Sequence, residues 1–215
     1  MKSVLFFLFS QFFLFHIGVT QCLQLTGAPP LLDVPTYSLA TKDADGNTGM
    51  NILTYATPIS IKPDRIWSLG LYKGTVAHEN FQRSGKGVLQ LLSPSHAKLV
   101  KLLGGSSGRD VNKKDECEKL GFTWVKGESS LSASSSSSIE NDDLPDLLPD
   151  CIHYMKLRQV GDLIDCGSHD LAICKVESMF VSDGTNIDGG TPSQNLNTGR
   201  LRDLGIITEQ GRVAE

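Results

Sequence analysis

The sequence lacks the features that mark several classes of protein. Its five cysteines include no C-x-x-C pair, which argues against a structural zinc site. Acidic residues outnumber basic ones by 24 to 20, for a net charge of −4, and there is no basic helix. Without a basic surface we expect no binding to nucleic acid. No catalytic triad and no P-loop are visible.

The residues that are present favour one β-rich domain. Hydrophobic residues make up 40% of the 215, which suffices for a single domain with a core and hardly for two. The 21 glycines and 9 prolines favour a turn-rich, mainly β architecture over a helical bundle.

Short alternating segments and the turns between them indicate an antiparallel barrel. Strands are predicted at residues 37–41, 66–72, 88–92, 151–157, 159–164 and 171–181. Helices are predicted from Ser93-Pro94 to Gly104-Gly105, at 112–120 and near 201–205, with one helical turn at 77–81. Because D-G and G-S turns join several strands, we expect a small Greek-key barrel with a few short helices. The two central helices are expected to cover the barrel and to carry no chemistry.

The N-terminus is typical of a targeting signal. Lys2 precedes a Phe- and Leu-rich stretch from Val4 to Val19, so residues 1–21 are predicted to be a signal peptide, followed by a spacer at 22–34. The apolar stretch is shorter than the roughly 20 residues that a membrane span needs, so a permanent anchor is the weaker alternative. The signal predicts entry into the secretory pathway, and together with the spacer it also suits a route into a plastid.

The composition changes abruptly between Gly127 and Pro149. A run of serines at 134–138 precedes a cluster of acidic residues, so 128–148 is predicted to be a flexible surface insertion. Phosphorylation of this insertion is an alternative role. Residues 184–215 are predicted to form a C-terminal tail outside the domain.

The cysteines leave two alternatives open. If Cys22 is lost with the signal or stays unpaired, the other four are either free thiols, mostly buried, or two disulfides in one of three pairings. Free thiols are the favoured reading. A metal site made of His153, Cys166, His169 and Cys174 is conceivable on adjacent strands but disfavoured.

The stretch from Gly49 to Asp64 is apolar enough to be buried, yet it carries closely spaced hydroxyl groups. Thr54, Thr57 and Ser60 lie where Pro58 is expected to bend the chain. Proline cannot donate to a sheet ladder, so the segment is predicted to be an extended loop whose N–H groups can face an anion. At ~1.5–3 kcal/mol for each hydrogen bond to a charged group, three or four such donors would hold a phosphate-bearing ligand.

A series of short motifs follows a recognisable order over residues 35–183. They are Pro35–Thr41, Asp45-Gly46, Gly49-Met50-Asn51, Ser60–Trp67, Lys73-Gly74-Thr75, Asn80-Phe81, Ser84-Gly85 and Gly167–Leu171. This order resembles the flavin-reductase-like, FMN-binding split-barrel family, in which a strand, a D-G turn and a G-M pair precede a Ser/Thr-rich flavin loop. The flavin loop is one residue longer here, with Pro58 inserted.

The resemblance implies a mainly β, FMN-binding split barrel that forms a homodimer with flavin at its interface. It also implies an oxidoreductase that transfers hydride from NAD(P)H to flavin and passes electrons to an unidentified acceptor, with FMN as cofactor and FAD as the alternative. The protein then needs only to bind the flavin and expose one face of it, because the cofactor carries the hydride chemistry. Two other functions stay open: a flavin-binding carrier or sensor without turnover, and a secreted β-barrel binding module without flavin.

The resemblance assigns site residues as well. The candidate cofactor-binding residues are Asn51, Thr54, Tyr55, Ala56 and Thr57 in the flavin loop, then Lys73, Thr75 and Asn80. The alternative for Thr54 and Thr57 is that both are ordinary strand-end hydroxyls. His169 is the catalytic candidate, since an imidazole with a pKa near 6.5 could orient nicotinamide or stabilise an anionic reduced flavin.

Overall fold

A computed structural model of the chain describes residue 27 and residues 29–127, 144–182 and 195–214. The described residues from 31 onwards belong to one compact unit. The predicted signal peptide at 1–21 lies outside the described residues. In the described part of the chain, no helix combines the length and the hydrophobicity needed to cross a membrane.

The described residues form one antiparallel sheet. Its strands are β1 Tyr37–Lys42, β2 Thr48–Leu53, β3 Ala56–Ser60, β4 Ile66–Tyr72, β5 Lys86–Leu91, β6 His153–Gln159, β7 Ile164–Cys166 and β8 His169–Phe180. The order across the sheet is β2-β1-β5-β6-β8-β4-β3, with β7 paired to β8.

The connection between β2 and β3 determines the shape of this sheet. These two strands are its opposite ends, yet only Thr54 and Tyr55 join them along the chain. A link this short spans at most about 11 Å, so the sheet must curl until its two edges approach each other. The edges are not paired with each other in the described sheet, so the barrel stays open there. The predicted fold class, a mainly β split barrel, is confirmed.

A few short helices pack on the barrel. They are α1 Val76–Ser84, a 3₁₀ segment Pro94–Leu99 that continues as α2 Val100–Gly105, then α3 Lys113–Lys119 and α4 Thr198–Asp203. The helix predicted after Ser93-Pro94 is confirmed, although its first part is 3₁₀. The Ser93 amide donates to Nδ1 of His96 at 3.1 Å, which holds this start in place.

Two hydrophobic clusters lie on the two faces of the sheet. Leu39, Leu69 and Phe81 belong to the cluster inside the barrel, whereas Val88 belongs to the cluster beneath the helices. Val88 and its neighbour Leu89 are both fully buried, on opposite faces, because successive side chains of a strand alternate. β5 is therefore a core strand, as predicted.

The prediction of a bent, extended loop around Pro58 is wrong. The segment around it is strand β3, in which Pro58 pairs with Trp67 of β4 and the register shifts between Pro58 and Ser60. β3 lies at the edge of the sheet, where one side of the strand has no neighbour and a missing N–H leaves no broken ladder bond. Edge position, which local sequence does not reveal, explains why the proline is tolerated.

The strand predicted at 159–164 is also wrong in extent. Residues 160–163 form a connection in which Gly161 has a φ of 73°, a left-handed conformation that glycine adopts without strain. At the two ends of this connection, Gln159 pairs with β8 as the last residue of β6, and Ile164–Cys166 pairs with β8 as β7. The three residues are too few to bury an alternating face, and all three are exposed.

The predicted insertion and tail both contain parts of the core. Residues 128–143 lie outside the described residues, but Leu147 and Leu148 are 1% and 0% exposed, so these two residues belong to the core and not to a surface insertion. The amide of Leu148 donates to Oε1 of Gln90 at 2.7 Å. Leu196 and Leu201 of the tail are equally buried, so residues 195–214 belong to the domain.

The four cysteines among the described residues are free thiols, which confirms the favoured alternative. Cys117, Cys151 and Cys174 are buried and Cys166 is exposed. Within the described ranges, no group of three or more His, Cys, Asp and Glu side chains is placed to hold a metal ion.

Candidate functional site

A groove of about 1250 Å³ opens where the barrel is split. Its walls are the β2–β3 link, the N-terminus of α1, the loop between α2 and α3, and the C-terminal segment. This volume exceeds the roughly 300–1,000 Å³ of a typical small-molecule site, so a dinucleotide or a flavin with a second ligand would fit.

Most of the predicted site residues come together in this groove. Those that line it are Asn51, Thr54, Tyr55, Thr75, Asn80 and His169. Ala56, Thr57 and Lys73 do not line it. Ala56 and Thr57 belong to β3, and Thr57 is exposed on the sheet edge.

The β2–β3 link is fixed against strand β4. The amide of Gly70 donates to the carbonyl oxygen of Tyr55 at 2.8 Å. A Cβ on Gly70 would lie 3.0 Å from Cβ of Tyr55. The lack of a side chain at Gly70 therefore allows the link to pack closely against β4. The Tyr55 ring is then left 61% exposed at the groove.

Two buried amide side chains form part of the groove wall. Oδ1 of Asn51 is buried and has no hydrogen-bond partner among the described residues. Nδ2 of Asn80 donates to Oγ1 of Thr41 at 3.3 Å, and a Cβ on Gly49 would come within 2.9 Å of that nitrogen. An unpaired buried acceptor is costly, so Asn51 suits a ligand that brings a donor. Flavin ring N–H and ribityl hydroxyl groups are such donors, and the residues present therefore fit a flavin.

Thr75 starts α1 at the edge of the groove. Its hydroxyl accepts from the amide of His78 at 3.2 Å and donates to the carbonyl of Tyr72 at 3.1 Å. Because the hydroxyl is engaged as the helix cap, the backbone N–H groups of the first turn are the donors left for a ligand. A helix N-terminus of this kind favours an anion.

Lys73 does not make the predicted cofactor contact in the groove, because its ammonium is paired elsewhere. Its Nζ lies 2.9 Å from Oδ1 of Asp165 and 3.3 Å from Oδ1 of Asp170. The hydrogen bond to Asp165, with a second to Asp170, raises the pKa of Lys73. Two carboxylates already neutralise this ammonium, which is the physical reason that it does not serve the groove.

His169 lies between two aromatic rings at the groove. The ring centroids of Tyr55 and Tyr72 are each 5.2 Å from that of His169, in edge-on arrangements. Nδ1 of His169 lies 2.9 Å from the Ser168 hydroxyl. Burial, together with the positive charge of Arg212, lowers the pKa of His169. The lowered pKa favours the neutral imidazole, which can accept or donate a hydrogen bond.

A buried hydrogen bond supports the strand end that carries His169. Nε2 of His78 lies 2.7 Å from Oδ2 of Asp170, the residue after His169. This hydrogen bond, and then the one from Lys73, holds the pKa of Asp170 below its usual value. His78 and Asp170 are far apart in the sequence, and only the fold brings α1 to the start of β8. His78 was therefore not among the predicted residues.

The loop between α2 and α3 is a second wall that the sequence analysis missed. Ser106, Ser107, Gly108 and Arg109 line the groove, and Arg109 donates to the carbonyl of Gly74 at 3.0 Å and to Glu79. The prediction that the two central helices carry no chemistry did not extend to the loop between them. The run G-G-S-S-G-R after a helix is the signal that could have revealed this loop.

Lys113 is the buried cation of this wall. Its Nζ donates to the carbonyls of Leu103 at 2.7 Å and Met50 at 3.0 Å, and burial lowers its pKa to about 8. The side chain thereby joins the end of α2 to strand β2.

Comparisons with known proteins agree with this geometry. The sequence profile described as the flavin reductase like domain matches residues 32–193. None of the curated proteins matches the chain.

Several solved structures share the fold. Flavoredoxin from Methanosarcina acetivorans is 13% identical, with a TM-score of 0.61 over 82% of this chain and 90% of that one. The FMN-binding protein from Thermus thermophilus, with bound p-hydroxybenzaldehyde, is 14% identical with the same TM-score, 0.61, over 82% and 90%. The NADH:FAD oxidoreductase SgcE6 from Streptomyces globisporus C-1027, in complex with NAD and FAD fragments, is 14% identical, with a TM-score of 0.54 over 72% and 79%.

Proposed function

The chain belongs to the flavin reductase like family, and from this premise we propose that it binds FMN in the groove, accepts hydride from NAD(P)H on the flavin and passes the electrons to an unidentified acceptor. The observation that carries the proposal is the groove itself, where the β2–β3 link, the buried acceptor of Asn51 and the N-terminus of α1 converge. The bound flavin would supply the hydride chemistry. FAD is the alternative cofactor, and the solved NADH:FAD oxidoreductase supports a nicotinamide donor.

The residues of the groove have distinct tasks in this proposal. Asn51 and Thr54 contact the ring and ribityl parts of the flavin, and the first-turn N–H groups after Thr75 hold its phosphate. His169, neutral between Tyr55 and Tyr72, orients the nicotinamide or donates a hydrogen bond to the reduced ring.

The first experiment is a spectrum followed by a reduction. Purified protein should carry the visible absorbance of a flavin, and stopped-flow mixing with NADH or NADPH should bleach it. Absorbance without bleaching would identify a flavin carrier or sensor instead. No absorbance after incubation with FMN or FAD would leave a binding module without flavin.

Thr54 and Thr57 provide a matched pair of variants. Thr54 lines the groove, whereas Thr57 is exposed on the edge strand three residues later. Thr54→Ala should weaken FMN binding roughly fivefold, the worth of one net hydrogen bond, while Thr57→Ala should leave it unchanged. Fluorescence titration of the apoprotein measures both. Equal weakening in the two variants would contradict the placement of FMN in the groove.

We also propose that the protein is a homodimer, as the family resemblance implies. The observation behind it is that Ile59 in edge strand β3 and Ile61 just after it are 53% and 69% exposed. Apolar residues on an edge strand favour association with another chain. Light scattering should give the dimer mass for the protein and the monomer mass for an Ile59→Lys/Ile61→Lys variant.

For localisation, we propose that residues 1–21 direct the chain into the secretory pathway, with a plastid route as the alternative. A fluorescent fusion with and without these residues tests it. Cytosolic fluorescence of both fusions would contradict the proposal.

A further inference from the structure

The last described residues form a small hairpin, here called the C-terminal hairpin (206–214). The amide of Thr208 donates to the carbonyl of Arg212 at 2.7 Å, and that of Ala214 donates to Ile206 at 2.9 Å. Gly211 turns the chain with a φ of 78°. The hairpin follows α4 and lies outside the residues that match the family profile.

The C-terminal hairpin is fixed to the body of the domain. Ile207 is 7% exposed, within the cluster beneath the helices. Val213 packs on the end of α2, because a Cβ on Gly105 would lie 3.2 Å from Cγ1 of Val213. Two glycines at the end of α2, Gly104 and Gly105, thus leave room for the hairpin to lie against the groove.

This hairpin brings Arg212 to the groove. Arg212 and His169 both line it, and the guanidinium is near enough to lower the pKa of the imidazole. The Arg212 side chain is exposed at the rim. No carboxylate pairs with its guanidinium in the parts of the chain that the structure describes.

Several other cations of the groove are engaged by the protein itself. Lys113 donates to two backbone carbonyls, Lys114 lies 2.7 Å from Asp146, and Arg109 is paired with Glu79. Arg212 therefore differs from them in having its full hydrogen-bonding capacity available to a ligand.

We infer that Arg212 binds the phosphoryl groups of the pyridine dinucleotide co-substrate. In the proposed function the flavin phosphate lies at the N-terminus of α1, so the exposed guanidinium at the rim is left to the co-substrate, which enters and leaves in each turnover. A guanidinium presents two parallel N–H groups that match two phosphate oxygens. This inference rests on the proposed function, and it assigns to the C-terminal hairpin a contact that the matched residues 32–193 do not supply.

The test compares Arg212→Ala and Arg212→Lys with a matched control, Arg200→Ala. Arg200→Ala makes the same change in net charge as Arg212→Ala. It serves as the control because Arg200 is exposed on α4 and does not line the groove. Calorimetry measures the dissociation constants of NADP⁺ and NAD⁺ for the FMN-loaded protein, and of FMN and riboflavin for the apoprotein.

We expect Arg212→Ala to weaken dinucleotide binding about tenfold at low salt, with Arg212→Lys in between, because lysine keeps the charge but loses the paired geometry. The effect should shrink as ionic strength rises. Arg200→Ala should bind both dinucleotides as the unaltered protein does. FMN binding should be unchanged in every variant.

Three outcomes separate the inference from its premise. Weaker FMN binding with unchanged riboflavin binding in Arg212→Ala would assign Arg212 to the flavin phosphate and overturn the inference. Unchanged dinucleotide binding in Arg212→Ala would overturn it too, while a flavin-loaded protein that is reduced by NAD(P)H would keep the proposed function. An unaltered protein that binds neither flavin nor dinucleotide would refute the proposed function itself.

Discussion

Replacing residues 128–143 with a Gly-Ser linker of about four residues should leave the domain folded and slightly more stable. The two ends to be joined are adjacent, because a Cβ on Gly127 would lie 2.9 Å from Cβ of Leu144. A fourfold shorter loop lowers the free-energy cost of closing the loop by about 1.2 kcal/mol, because each halving of the length saves ~0.6 kcal/mol. For a domain of this size, that gain should raise the Tm by about 2–5 °C.

A longer deletion, through residue 148, should have the opposite effect. It removes Leu147 and Leu148, and truncating one fully buried leucine to alanine alone costs about 2–5 kcal/mol. It also removes the bond from the Asp146 amide to Oγ1 of Thr48 at 2.7 Å. The loss of two such leucines should lower the Tm by more than about 10 °C or prevent folding.

Thermal denaturation followed by circular dichroism and FMN titration distinguish the two variants. A third variant, with a Gly-Ser linker of the original length, separates the effect of length from that of sequence. A Tm more than about 5 °C lower in the four-residue variant would refute the reasoning, because loop closure alone cannot lower the stability when a loop is shortened.

Two further predictions concern titratable groups at the groove. His169→Ala should keep FMN affinity within a few-fold and slow reduction by NAD(P)H about ten- to a hundredfold. In the unaltered protein, the pH profile of the reduction rate should inflect below 6.5, because burial and Arg212 lower the pKa of His169. An unchanged reduction rate in the variant would remove His169 from the site. Asp170→Asn should be less stable in urea at neutral pH, because the carboxylate, held below its usual pKa of 3.8 by His78 and Lys73, stabilises the fold above that pH. The difference between Asp170→Asn and the unaltered protein should shrink as the pH falls through the lowered pKa, and a constant difference would contradict it.

Local patterns were enough to predict the elements with their own signals. The alternation of Trp67, Leu69 and Leu71 marks β4, whose observed bounds are those predicted. Asn112 starts α3 by accepting from the amides of Lys114 and Asp115, as an N-cap does. These interactions involve residues close in sequence, so the chain itself displays them.

What the sequence did not show depends on contacts between distant segments. The motif K-G-T shows no partner for Lys73 in the local sequence. Only the fold brings Asp165 and Asp170 to its ammonium group. Leu147 and Leu148 stand beside an acidic, serine-rich run that conceals their burial. For the site, the sequence predicted cofactor-binding or catalytic roles for Thr54, Tyr55 and His169, and all three line the groove. Arg109, Lys113 and Arg212 also line it, but they come from segments without a family motif in the prediction.

The two-residue link between β2 and β3 has a consequence for biosynthesis. Thr54 and Tyr55 leave the ribosome early, but β3 is held only by β4, and β4 pairs with β8 about 100 residues later. The N-terminal strands therefore emerge with one side of the sheet unfinished, and they cannot close around a ligand until Phe180 has been synthesised. Flavin can be captured only after translation has passed that point, so a nascent chain stalled before β8 should carry none.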